Sequence, residues 1–156
     1  RKTGEWKWWD DKDHLQEWSF WKAGSPSGFA TTYYENGIVR TEGEWIDGVL
    51  EGEIKMYDAG GMLTEITKYH NGLKEGEALL FYPNGQLEIK GQFIGDKQEG
   101  LFITYFRNGK LKSEIRWAEG FMEGESVEYD SIGNKIGWGT YFNGSKTEDW
   151  RYKATY

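Results

Sequence analysis

The sequence predicts an all-β protein, an elongated and twisted single antiparallel sheet of about six 24-residue β-hairpin repeats with aromatic-rich end caps. Three observations carry this expectation. Glycine recurs at Gly4, Gly28, Gly52, Gly76, Gly100 and Gly124 without a slip, and a fixed period of this size marks a repeat array. Aromatic rings recur in two registers of the same period: Trp9, Tyr33, Tyr57, Phe81, Tyr105 and Tyr129, then Trp21, Trp45, Tyr69, Phe93, Trp117 and Tyr141. The chain has 22 glycines, two prolines and 17% aromatic residues, a composition of strands joined by tight turns, and no segment has helical period.

Taken in order, residues 4–27 form an atypical first unit that holds five of the nine tryptophans. Units 28–51, 52–75, 76–99 and 100–123 repeat regularly, unit 124–147 is looser, and residues 148–156 begin a seventh strand as a C-terminal cap. The whole chain, 1–156, is expected to be one repeat domain whose core lies between neighbouring units. In the unit starting at Gly76, Asn84-Gly85 separates two strand-like runs, and Asn36-Gly37 and Asn108-Gly109 do the same elsewhere. Such pairs signal hairpins because glycine accepts the positive φ of the turn. A two-residue turn would place Phe81 on the face opposite Leu87 and Phe93. A three-residue loop with a glycine bulge is expected to bring all three to one face. Because 24 is even, the same face should repeat from unit to unit.

By the same alternation Trp9 and Trp21 are expected to face the core, and Trp6, Trp8, Trp18 and Trp138 the opposite face. Gly43, Gly91 and Gly139 alternate with Ser19, Thr67 and Ile115 at one register. Space is therefore expected there in every second unit, under a neighbouring ring. Trp150 stands where Ile54 and Phe102 stand in their units.

The net charge of −7 repels nucleic-acid phosphates and anionic headgroups and favours basic or neutral partners. No cysteine is present, so neither disulfides nor thiolate chemistry enter. No apolar run approaches the length that spans a bilayer as a helix, and no secretory signal is seen. The chain begins at Arg1 without methionine, as one that has been processed or cut from a longer chain would.

The segments GFATTYYENGIVRTEGEWIDGVLE and GEALLFYPNGQLEIKGQFIGDKQE resemble the MORN repeat, in its bacterial variant form. The Tyr33–Gly37 core and the spaced glycines Gly48 to Gly52 and Gly72 to Gly76 carry the match. It is good over 28–123, looser over 124–147, and rests on glycine and rings alone in 4–27. The resemblance implies an elongated antiparallel sheet used as a scaffold or protein-binding surface. Bacterial variant-type members are often labelled antitoxins or immunity proteins. Some eukaryotic members are tied to anionic lipids, a role this acidic chain does not suit.

Candidate binding residues fall in three groups. Glu51, Glu75, Glu99 and Glu123 share one register and would either present an acidic row to a basic partner or cap inter-repeat turns and pair with Lys74 or Lys97, the reading the sequence favours. Asp10, Asp11 and Asp13, with His14, form an acidic turn whose spacing matches no EF-hand or zinc signature, so no metal and no cofactor is expected. Trp6, Trp8, Trp18 and Trp138 are expected either to anchor a partner or to fold over the open ends of the sheet. With no thiol and two separated histidines, His14 and His70, no nucleophilic constellation is present and no enzyme is expected.

The expected function is therefore non-catalytic protein binding, most concretely as an immunity or antitoxin protein that occludes a toxin domain, which is expected to be basic. The alternative is a cell-envelope or secreted carbohydrate-binding or structural scaffold using exposed aromatics. A monomer or a 1:1 complex is expected. The expected location is the bacterial cytoplasm for an immunity protein, and the envelope or exterior if the N-terminus is a processed one.

Overall fold

The computed structural model describes residues 1–153, so residues 154–156 of the expected cap strand lie outside the described residues. Among the described residues there are fifteen strands and no helix. The chain divides into two compact units, Arg1–Lys74 and Glu75–Tyr156. In the first, β1 (Gly4–Trp9), β2 (Leu15–Lys22), β3 (Ser25–Tyr33), β4 (Val39–Ile46), β5 (Val49–Tyr57) and β6 (Leu63–His70) pair antiparallel, each with the next. The second is built in the same hairpin order from β7 (Leu73–Phe81, whose first two residues belong to the first unit), β8 (Leu87–Ile94), β9 (Lys97–Tyr105) and β10 (Leu111–Ala118). There β10 pairs with both β11 (Phe121–Met122) and β12 (Gly124–Tyr129). In turn β13 (Lys135–Phe142) pairs with β12, β14 (Ser145–Lys146) and β15 (Arg151–Tyr152).

Two kinds of turn join the strands. Between repeats lie two-residue turns with positive φ at both positions, such as Asp47-Gly48 (50° and 88°) and Glu119-Gly120 (51° and 86°). This is the turn whose own twist matches that of the strands it joins. Within each repeat lies the expected bulged loop: Tyr82 N donates to Gln86 O, Gly85 N donates to Tyr82 O, and Gly85 takes φ 79°. The loops close in two chemical variants. Asn36, Asn84 and Asn108 accept from the amide two residues on and donate to a carbonyl in the loop of the next repeat. Where aspartate stands at the loop entrance, as at Asp10, Asp58 and Asp130, its Oδ1 accepts two loop amides instead.

The period-setting glycines have their own backbone cause. Gly4, Gly28, Gly52, Gly76, Gly100 and Gly124 all take φ between 75° and 127°, a region in which a side chain is strained. At Gly28 the β2/β3 register jumps from Ser19↔Ala30 to Trp21↔Pro26. Three residues of β3 thus lie opposite the single residue Phe20, and the pleat keeps its parity.

A second irregularity overturns the expectation that both aromatic registers share a face. Phe81 pairs with Leu87, but Leu80 pairs with Ile89, so Glu88 is an extra residue in β8. One added residue inverts the alternation beyond it. Phe81 and Leu87 therefore lie on one face, the back, and Ile89, Gly91 and Phe93 on the other, the front. The same shift occurs at Tyr33, Tyr57, Tyr105 and Tyr129. It also reverses several tryptophans. Trp6 pairs with Ser19 and Trp8 with Glu17, on the front with Trp21, whereas Trp9 pairs with Leu15 and lies on the back, half exposed. Trp18, which pairs with Lys7 and packs its ring 5.7 Å from that of Phe20, does lie on the back.

The front face holds the core. Its glycine register leaves room for a large neighbour, as expected: a Cβ on Gly91 would stand 2.3 Å from the ring of Phe102, and one on Gly139 would stand 2.6 Å from Cα of Trp150. At Gly43 the space is taken by Ile54 and not by a ring. Where the register is polar and buried, Ser19 donates to Glu17 Oε1 (2.6 Å) and Thr67 to Glu65 Oε1 (2.7 Å), so neither hydroxyl is left unsatisfied.

On the back, burial and the carboxylate of Glu42, to which the Tyr57 hydroxyl donates at 2.7 Å, push the Tyr57 phenol up to about 12. A raised phenol favours the folded state fully below the ordinary value of 10.0, and this contribution is lost as pH rises through about 12. Phenolate absorbance is expected to show this late-titrating tyrosine. Glu42→Gln should bring it down without restoring the ordinary value, because burial, the larger cause, remains.

Candidate functional site

The most developed surface is the front of the unit Arg1–Lys74. Trp21 on β2 and Trp45 on β4 rise on either side of β3, where they pair with Pro26 and Gly28 and the next residue on that face is only Ala30. Ser19 and Gly43, which pair with Ala30 from the two flanking strands, are equally small. The result is a trough of about 400 Å³ walled by the two indoles, with Leu50 and Ile54 along one side. Two strand spacings separate β2 from β4, roughly 9.5 Å, enough to admit a slender group between facing rings. In the unit Glu75–Tyr156 Ala30's register carries Ala78, Phe102, Ser126 and Trp150, and the Phe102 ring, 5.7 Å from both Phe93 and Trp117, closes the gap between those two rings.

The trough is polar at one end. Trp21 Nε1 donates to Ser19 Oγ at 2.9 Å, and Ser19 in turn donates to Glu17. The indole and the carboxylate are thus held in fixed relation. The charged side chain that the front face presents to the trough is Glu17; Glu42 alternates to the back, where its carboxylate accepts from Tyr57. Beyond Trp21 a smaller hollow of about 210 Å³ is lined by Trp6, Trp8 and Lys2. Lys2 places its ammonium 4.7 Å from the Trp6 ring and 4.3 Å from the Trp21 ring. Trp8 is 61% exposed and Trp6 40%, so the front face continues outward as bare indole surface.

The other sequence-selected residues lie elsewhere. Trp138 is on the back of its unit, paired with Val127, and carries the Lys135 ammonium 4.7 Å from its ring. The carboxylates of Glu51, Glu75, Glu99 and Glu123 each accept a backbone amide of the turn twenty residues on: Asn71, Gly95, Glu119 and Asn143, all near 2.9 Å. The Asn71 amide, reinforced by His70 Nδ1, holds the Glu51 carboxyl below the usual carboxylate range. The two lysines that the sequence offers as partners go to other acids, Lys74 to Glu65 and Lys97 to Glu119. Asp10 closes its own loop by accepting from the amides of His14 and Lys12 and pairing with the His14 ring. These bonds hold its carboxyl below the usual range, the His14 amide most of all. Among the described residues no group of three or more His, Asp or Glu is placed to hold a metal ion.

Twenty-four-residue hairpins, positive-φ glycines at one register and bulged loops closed by Asn-Gly are now all in place. Residues 30–47, 74–94 and 98–118 match the family model described as MORN repeat variant. The chain is a MORN-repeat protein. No curated protein matches it. MORN repeats generally form non-catalytic binding modules, and in this MORN protein the variable positions of the repeat decide where a ligand could enter. Sequence reading selected Trp6 and Trp8 but not Trp45, Glu17 or Ala30. The available signal was the variation Ala30, Ile54, Ala78, Phe102 at one register, where the size of the residue helps set whether the gap between neighbouring rings is open or filled.

Proposed function

We propose that this MORN protein binds another protein through the front face of the unit Arg1–Lys74, and that it acts most concretely as an immunity or antitoxin protein occluding a basic toxin domain. The observation that carries the reading is the gathering of Trp6, Trp8, Trp21 and Trp45 on one face around an open trough. Tryptophans in such settings dominate binding energies at protein interfaces. The net charge of −7 favours a basic partner and speeds its approach. Because Glu51, Glu75, Glu99 and Glu123 are engaged by turn amides, their part is long-range attraction and not direct contact.

Affinity capture from the source organism at low and moderate salt, followed by kinetics with the purified partner, tests this. A basic protein should bind stoichiometrically with an association rate that falls as salt rises. Trp8→Ala, on a fully formed edge hairpin, should weaken binding by about 2 kcal/mol or more, mainly through faster dissociation. An affinity untouched by Trp8→Ala would exclude this face as the interface. The exposed indoles also suit a second reading, a carbohydrate-binding scaffold in which Trp6 and Trp8 stack on sugar rings. That reading expects indole fluorescence changes on titration with glycans.

A further inference from the structure

We infer that the trough between Trp21 and Trp45 is an aromatic–carboxylate cage for one cationic side chain, a lysine or arginine presented by a basic protein partner. This rests on the protein-binding reading above and specifies its contact chemistry. The protein holds a lysine over paired rings twice within itself, in the second case with a carboxylate as well. Lys2 and Lys146 occupy the same repeat register, six repeats apart. In the second unit the Lys146 ammonium lies 4.0 Å from the Trp150 ring and 6.0 Å from that of Tyr141, and it donates to Glu128 Oε1 at 2.9 Å. In the first unit Lys2 lies over Trp6 and Trp21, which stand at the registers of Trp150 and Tyr141.

Between Trp21 and Trp45 the rings and the carboxylate are again present, but the lysine is not. The register of Lys2 and Lys146 is filled there by Pro26 and Leu50, and that of Trp6 and Trp150 by Ala30 and Ile54. Lys2 covers Trp21 from the β1 side, so the opposite ring face looks into the trough. The charge presented to it on the front is the Glu17 carboxylate, fixed at one end by Ser19. A cation entering would gain two ring faces and an acid, an arrangement that favours a cation over a neutral group of equal shape. Polarity and width both fit a flat guanidinium or an ammonium on an alkyl stem.

The test is a titration of the protein with Nα-acetyl-arginine amide, followed by the indole N–H resonances. Its neutral isostere Nα-acetyl-citrulline amide and a chito-oligosaccharide serve as comparisons. The arginine probe should shift the Trp21 and Trp45 resonances, and the citrulline probe should not. Glu17→Gln keeps an oxygen for Ser19 and therefore the fold, and should weaken the arginine probe roughly three- to tenfold. Trp45→Leu should abolish its effect at Trp21, with an unchanged melting profile of Glu17→Gln guarding against a folding artefact. Equal binding of the citrulline probe, a response to the oligosaccharide alone, or no response to any probe would each overturn the cage. A partner whose affinity depends on Trp8 but not on Glu17 would remove the cage and leave the protein-binding reading standing. A partner insensitive to both removes that reading as well.

Discussion

Phe102→Ala is expected to destabilise the unit Glu75–Tyr156 by about 3–5 kcal/mol in chemical denaturation, the cost of emptying a well-packed aromatic site. Phe102 is buried between Phe93 and Trp117, both at 5.7 Å, and it covers Gly91. A thin sheet core has no second layer to collapse into the vacated space, so little of the loss is recovered. The glycine makes a sharper test possible. Gly91 carries no positive φ, and the atoms nearest to a methyl group there would all belong to the Phe102 ring. Gly91→Ala should therefore cost about 1–3 kcal/mol through overpacking. In the Phe102→Ala background it should cost almost nothing, because the methyl then enters the cavity. Additive effects of the two substitutions in a double-mutant cycle would contradict the packing described.

Gly139→Val is the second large effect. Its added Cβ would meet Cα of Trp150 at 2.6 Å and N of Trp150 at 3.0 Å. Backbone atoms cannot rotate aside as a side chain does, so the C-terminal segment must move. The pairs Gly137↔Tyr152 and Trp138↔Arg151 would open, and the ring of Trp150 would leave Tyr141, now 5.1 Å away. The expected result is rapid proteolysis after Arg151 and Lys153, red-shifted tryptophan emission, and a loss of about 1–3 kcal/mol. The same substitution should release Lys146 from its ring cluster. Continued protease resistance in Gly139→Val would show that Trp150 is not held by this contact.

The two glycines mark how far the sequence could be read. Their alternation with Ser19, Thr67 and Ile115 is visible without coordinates, and so is the placement of Trp150 at the register of Phe102. A missing side chain beside a periodic ring can only mean that the ring comes to it. The bulged loop was legible for a similar reason, since Asn84-Gly85 specifies its turn locally. The second bulge was not. Nothing in the run Leu87-Glu88-Ile89 announces that Glu88 is unpaired, yet that single residue exchanges the faces of Phe81 and Phe93, and its counterpart Gln16 brings Trp6 and Trp8 around to join Trp21. The role of Glu51, Glu75, Glu99 and Glu123 as turn acceptors was foreseen as one of two readings. Their partners were not, because the amides they take lie in the next repeat's turn.

By itself, then, the sequence determined the repeat, the strand content, the turn chemistry and the charge, all of which depend on residue type at short range or at a fixed period. Only the tertiary structure decided which rings share a face, that Lys2 and Lys146 are held by aromatic rings, and that the gap above Ala30 stays open between Trp21 and Trp45. The physical reason is the two-residue period of a strand: one unpaired residue leaves the composition unchanged and inverts every side chain beyond it.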